Sequence, residues 1–287
     1  MKKYNFSLLD IIVYSVLTVF TFICFVPFLY TFTYSLTPYS EYLRNPINLL
    51  PRNINFEAYK QVLNFHLIRT GFLNSVFIVI IGAIIQIILL VMTAYPLTKK
   101  RFKGGKLITY LFIFTMLFNG GIIPEYYVIR NLKLINSLWA LILTSLIGAY
   151  SLILMKNFFS TIPESLCEAA TIDGANDFLI LFRIVLPLSL PALATLLLFY
   201  SVNTWNDFFR AIVYTTKREL WPLQLVLREM IINGSITEMN NSGDPTAVFP
   251  FNLQMATVMV SIVPIICLYP FLQKYFVKGM ALGAVKG

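Results

Sequence analysis

Six stretches of this chain run without a charged side chain for longer than a soluble domain tolerates: 11–40, 70–98, 107–124, 134–155, 184–206 and 245–273. A helix rises about 1.5 Å per residue, so about 20 residues cross the hydrocarbon of a bilayer. In that medium each backbone N–H and C=O must be paired internally, and unbroken apolarity without in–out alternation predicts helices, not barrel strands. The expected architecture is an all-α polytopic membrane protein. It forms one transmembrane domain over 1–287, with six spans near 11–36, 71–98, 107–124, 134–155, 186–206 and 251–273. The third stretch is the shortest and holds Gly120-Gly121, so its outer end is expected to be irregular. Only 12% of the residues are charged, against about 25% in soluble domains, which places the chain in the bilayer.

The net charge of +9 does not point to nucleic acid, because the basic residues sit beside the apolar runs and no basic patch is interleaved with aromatics outside them. Lys99, Lys100, Arg101, Lys103 and Lys106 crowd one short connection that has no acid, and Lys2 and Lys3 begin the chain. Lys274, Lys278 and Lys286 end it. Placing these inside puts both termini in the cytoplasm and leaves 41–69 and 207–248 as long outer loops. The first apolar stretch is longer than the apolar core of a signal peptide and is expected to remain as a span. Cys24, Cys167 and Cys267 are not spaced as pairs or metal ligands, and His66 has no partner motif and is expected on a surface loop.

The inner segment 156–183 is far longer than a return between two spans requires. Pro163 suits the start of a helix, and Glu164 and Glu168 suit the positive end of its dipole. Ala169 and Ala170 leave room for another surface, and Gly174 can end the helix. A second short helix follows over 175–183, and Pro187 and Pro191 mark entry into the fifth span. The residues thus describe a small-faced helix–turn–helix joined to two membrane helices, a shape suited to passing a push from a soluble partner into the bilayer.

Glu168-Ala169-Ala170, three residues, Gly174, nine residues and then Ile184-x-Leu186-Pro187 resembles the EAA loop of binding-protein-dependent ABC importers. The resemblance covers nearly the whole chain and is to the carbohydrate-importer permeases similar to the second membrane subunit of maltose transporters. Asn74-Ser75-Val76, Ala94-Tyr95-Pro96-Leu97 and Thr204-Trp205-Asn206-Asp207-Phe208-Phe209 carry it, as does the tail Gly283-Ala284-Val285-Lys286-Gly287. Phe118-Asn119-Gly120-Gly121-Ile122-Ile123-Pro124 resembles the lipo-oligosaccharide and polysaccharide branch. By this resemblance the fold is a type I ABC importer permease in a bacterial cell membrane. The loop 163–187 is then a coupling helix, with Glu168, Ala169, Ala170, Asp173, Gly174, Ile184, Leu186 and Pro187 meeting an ATPase subunit, and Val285, Lys286 and Gly287 reaching between the ATPases. The implied partners are a second homologous permease, two ATP-binding subunits, an extracellular sugar-binding protein and an oligosaccharide.

The chain has no G-x-x-x-x-G-K-[ST] loop, so ATP and Mg are expected on partner chains and no cofactor on this one. Polar residues are costly within spans, which makes Gln86, Asn119, Tyr200, Asn203, Trp205 and Asn206 candidates for a sugar path. Helix bridging and interfacial anchoring are their alternative roles. The outer loop 207–248 is either a docking surface for the binding protein or a solvated hairpin. Two other functions stay open on the residues alone. The cargo could be an amino acid, peptide or polyamine, or the chain could be a membrane enzyme, which would need paired carboxylates or a His–acid pair.

Overall fold

The computed structural model describes residues 8–44, 50–51, 53–233 and 251–284, and every regular element among them is helical. The chain divides into two compact units. One comprises Met1–Arg69 and Leu227–Val263, the other Thr70–Val226 and Pro264–Gly287.

In the first unit, α1 (Leu8–Ser35) is exposed at every position from Ile11 to Phe28. Its hydroxyls turn inward on the helix: Thr18 and Thr21 donate to the carbonyls of Tyr14 and Leu17, each at 2.7 Å. Such back-bonding spares a lipid-facing helix an unmet polar group. Burial begins only at its end, where Tyr34 meets Tyr42 edge-on at 5.1 Å and Ser35 Oγ lies 2.7 Å from Tyr59 Oη. Tyr42 belongs to α2 (Tyr39–Arg44) and stacks on Phe251 at 4.5 Å; Tyr59 belongs to α3 (Glu57–Asn64).

The 33-residue α4 (His66–Thr98) leads into the second unit. His66 is its exposed first residue, so the loop expected there has become a helix start. A basic turn follows, then α5 (Gly105–Leu117) and α6 (Ile122–Asn131), which diverge by 118°. Gly121 takes φ +83° at the break, and its N–H donates to Asn119 Oδ1 at 2.9 Å. The expected irregularity at Gly120-Gly121 is therefore a sharp bend that ends the first helix and starts a second. The stretch 134–155 is also divided, into α7 (Leu138–Leu143) and α8 (Ala149–Phe159). Between them the Ser145 hydroxyl bonds back to the carbonyls of Leu141 and Ile142, and Gly148 is extended at φ −82°, ψ 132°.

The inner segment contains α9 (Glu164–Ile172), α10 (Asp177–Ile180), a π-turn over Leu181–Val185 and α11 (Leu186–Leu188). It turns by 76° at Ser189 into α12 (Leu190–Asn206). Pro187 and Pro191 lack the N–H groups that would carry the helical ladder through this corner. The buried Ser189 meets its own polar need at the corner by donating its hydroxyl to the Val185 carbonyl at 2.7 Å, which also accepts the Ser189 N–H at 3.0 Å. Beyond lie α13 (Phe209–Tyr214), a 3-10 turn at Arg218–Leu220, α14 (Leu223–Asn233) and α15 (Phe251–Ala284). Three described helices are long and apolar enough to cross a bilayer, or five if each bent pair is one crossing.

Among the described residues of the second unit, apolar side chains gather in clusters. One gathers Leu90 and Ala94 of α4, Leu152 and Met155 of α8, and Leu181, Val185 and Leu193 of the inner segment and α12. Another joins Ile78 to Ile142, Tyr214 and Leu225. Close approach does much of the work here, since lipid tails are as apolar as the side chains they would replace. Gly82 is the tightest such point: a Cβ there would lie 1.9 Å from Tyr200 Oη.

Candidate functional site

The inner segment is built to present one face of α9. Pro163 precedes the helix in extended conformation (φ −57°, ψ 127°) and Glu164 opens it. At the other end Gly174 takes φ +84°, where a Cβ would meet no atom within 4 Å. The glycine is thus required by backbone conformation and not by space. Its N–H donates to the Thr171 carbonyl at 3.0 Å, and the Ala175 N–H to the Ala170 carbonyl at 2.9 Å. These two bonds form a Schellman stop, which satisfies the last carbonyls of the helix within the chain itself. Asn176 then caps α10 by accepting from the Leu179 N–H at 2.8 Å.

The two faces of α9 differ as the alternation of residues requires. Cys167 and Ala170 are half-buried and rest on the first apolar cluster with Ile184 and Leu186. Glu168, Ala169 and Asp173 are exposed, and Ile172 is 87% exposed. An isoleucine this bare, at the end of a helix with a small-residue face, is an apolar knob for another surface. Pro187 is exposed at the corner. Sequence reasoning passed over Ile172; the signal was an aliphatic residue three positions after Ala169, on the same helical side.

The basic turn after α4 pairs with this segment at the first residue of α9 and at the first residue of α10. Lys100 Nζ donates to Glu164 Oε2 at 2.9 Å, Arg101 pairs with Asp177, and Lys99 Nζ lies 4.0 Å from the same carboxylate. The hydrogen bond to Glu164 holds the Lys100 ammonium above its ordinary value, and the Glu168 charge adds to the effect. Lys100, Glu164 and Arg101 are largely exposed, so solvent screens their pairs and they add little to stability. Their effect is to fix the attitude of α9. Three of the five cations read as a topology signal, Lys99, Lys100 and Arg101, thus have a second use, which required knowing that the two connections fold side by side.

The candidate path residues occupy different settings. Gln86 and Tyr200 are buried, and Tyr200 Oη lies 3.4 Å from Ser145 Oγ. Trp205 packs edge-on against Phe72 at 5.8 Å and lines a small apolar cavity with Ser201 and Val76. Asn203 and Asn206 are exposed, and Asn206 Nδ2 donates to the Val202 carbonyl at 2.9 Å. Asn119 is committed to the α5–α6 break. Val285, Lys286 and Gly287 lie outside the described residues.

Farther along the second unit, the segment after α13 is strapped down by two asparagines. Asn136, at φ +59°, accepts from the Thr216 N–H at 2.7 Å and the Thr216 hydroxyl at 2.9 Å, while Asn74 donates to the carbonyls of Glu219 and Trp221. Tyr214, 1% exposed, has its phenol pushed up to about 12, first by burial and then by its hydrogen bond to Glu125.

Residues 105–282 match the family model described as "Binding-protein-dependent transport system inner membrane component". The chain belongs to this family of transporter membrane subunits. As such it is a transport permease and not an enzyme. This permease is 40% identical over 285 residues to the polygalacturonan/rhamnogalacturonan transport system permease protein YtcP of Bacillus subtilis (strain 168), covering 98% of this chain and 99% of that one. It is 41% identical to protein LplC of the same strain, covering 92% and 90% of the two chains. Its fold matches a chain from the crystal structure of a bacterial ABC transporter involved in the import of the acidic polysaccharide alginate. The TM-score is 0.88 at 33% identity, covering 96% of this permease and 100% of that chain.

Proposed function

We propose that this permease carries an oligosaccharide across the membrane, and that α9 and its flanks, residues 163–187, are the part gripped by ATP-hydrolysing partner chains. The observation that carries the coupling role is the bare face of Glu168, Ala169 and Ile172, on a helix closed by its own Schellman stop, paired with Lys100 at its start and followed by an α10 paired with Arg101. Only an element held this firmly can transmit a displacement instead of absorbing it. The apolar underside of α9 would pass that displacement to α12 through the cluster containing Leu181, Val185 and Leu193. In this reading the complete transporter holds a second homologous permease and two ATPases. This subunit crosses the bilayer six times with both termini in the cytoplasm, and the two halves of 134–155 together make the fourth crossing.

The cargo assignment rests on what the relatives are named for: polygalacturonan and rhamnogalacturonan, arabinooligosaccharides, diacetylchitobiose and alginate. Glycans are common to all of them, whereas amino acids and peptides appear in none of these names. Thermal-shift screening of the partner binding protein against uronate-bearing oligosaccharides, neutral oligosaccharides and amino acids tests this; stabilisation by amino acids alone would overturn it. For the coupling role, Glu168→Lys is expected to reduce uptake by at least tenfold and to release the ATPase subunits during purification, with membrane insertion unchanged. Uptake at the unaltered rate would remove α9 from the mechanism.

A further inference from the structure

A cleft of about 460 Å³ opens beside α10, and neither end of the proposed transport path accounts for it. Met92, Tyr95, Pro96, Phe102, Phe178 and Leu181 give it a largely apolar lining. Its rim holds Lys99, Arg101 and Lys103 against a single acid, Asp177. Phe178 is 61% exposed and Met92 42% exposed, so the lining is open to an occupant. Tyr95, by contrast, is only 6% exposed, and its hydroxyl is buried without a hydrogen-bond partner among the described residues.

We infer that this cleft binds an anionic phospholipid, with a fatty chain along the aromatic and aliphatic wall and the headgroup phosphate on the cationic rim. The division of chemistry within one cavity argues for this occupant. A free phosphate would leave the apolar wall wet, and a neutral lipid would leave the surplus of positive charge unanswered. Asp177 uses only part of what the rim offers, since a guanidinium has five N–H donors and Arg101 gives this carboxylate one contact. Lys99 Nζ lies 4.6 Å from the centre of the Tyr95 ring, which sets a cation directly against the aromatic part of the wall. The location also fits, at the end of the apolar run of α4 where the proposed topology puts the inner leaflet. Because α10 supplies Asp177, Phe178 and Leu181, an occupied cleft would add a lipid contact to the same segment that positions α9. The inference therefore rests on the proposed cytoplasmic placement of 99–106.

The test is native mass spectrometry of the full chain, purified with its partners and exposed to phosphatidylglycerol, phosphatidylcholine or glycerophosphoglycerol. Retention of phosphatidylglycerol in clear excess over both others is expected. Each of Lys99→Gln and Lys103→Gln should lower that retention about five-fold. Met92→Trp, which fills the wall without touching charge, should lower it too. Equal retention of the two phospholipids by the unaltered protein would overturn the proposal even if no variant folded, and equal retention of the headgroup alone would mark an anion site instead. Labelling of Lys103→Cys from outside the cell would refute the topology beneath it; labelling from inside with unselective lipid binding would refute the lipid site alone.

Discussion

At the scale of single residues, two glycines do opposite things. Gly174 stands in open space but at a positive φ, so Gly174→Ala is expected to cost about 1–2 kcal/mol by backbone strain alone. Gly174→Asn should cost less, because asparagine tolerates that conformation better, and transport should recover in the same order. Gly82 is an ordinary helical residue whose neighbour is too near. Gly82→Ala should destabilise by about 1–3 kcal/mol, and adding Tyr200→Phe should recover part of it, since the ring carbon stands at 3.0 Å where the hydroxyl stood at 1.9 Å. Thermal unfolding of the single and double variants decides this; no recovery would mean the clash is relieved elsewhere. Tyr214 gives a pH test. Its folded phenol keeps its proton from the ordinary 10.0 up to about 12, so in that window the native chain binds more protons than the unfolded one. Stability should then fall as pH rises through it, with nothing lost below. The tyrosinate absorbance of the wild type minus Tyr214→Phe should show one late-titrating group. Gly174 was legible from its place after the paired alanines, but nothing near Gly82 in the sequence marks it. Its partner lies more than a hundred residues away, and a sequence does not display such a contact.

At the scale of elements, the inner segment was the most legible part and the broken spans the least. Pro163, the paired alanines and Gly174 act within a few residues of one another, so local chemistry predicted the helix and its stop. The breaks between α5 and α6 and between α7 and α8 have different origins. Gly120-Gly121 announced the first, but Thr144 and Ser145 look like ordinary interior residues of an apolar run. Hydropathy counts them as tolerable and says nothing of their hydroxyls bonding back to Ala140 and Ile142. The brace between the basic turn and α9 belongs to this scale as well. Lys100→Glu should reduce coupling of ATP hydrolysis to uptake while leaving thermal stability nearly unchanged, and Lys100→Glu with Glu164→Lys should restore it. If the exchanged pair fails to restore coupling, the charges act on the ATPase directly and not through the attitude of α9.

At the scale of the whole molecule, the distribution of positive charge predicts a topology that labelling can read. Cysteine placed at Lys103 should react only from the cytoplasm, and cysteine at Lys217 only from outside. The apolar stretches revealed a membrane protein without any tertiary information, because a bilayer imposes its demand on each span separately. Partners and cargo were not legible in that way and came from likeness to relatives. One consequence concerns α1, which shows the same oily surface around its full girth from Ile11 to Phe28. A rod with no preferred side has no preferred azimuth in lipid; it can swivel about its axis at almost no cost. Its rotational setting must be imposed from the tyrosine-rich end near Tyr34 or by a neighbour in the assembled transporter. Exchanging one aliphatic residue for another along this rod should go unnoticed, whereas one lysine at its midpoint, worth about 2.5–3.5 kcal/mol against insertion, would supply the missing sidedness at once.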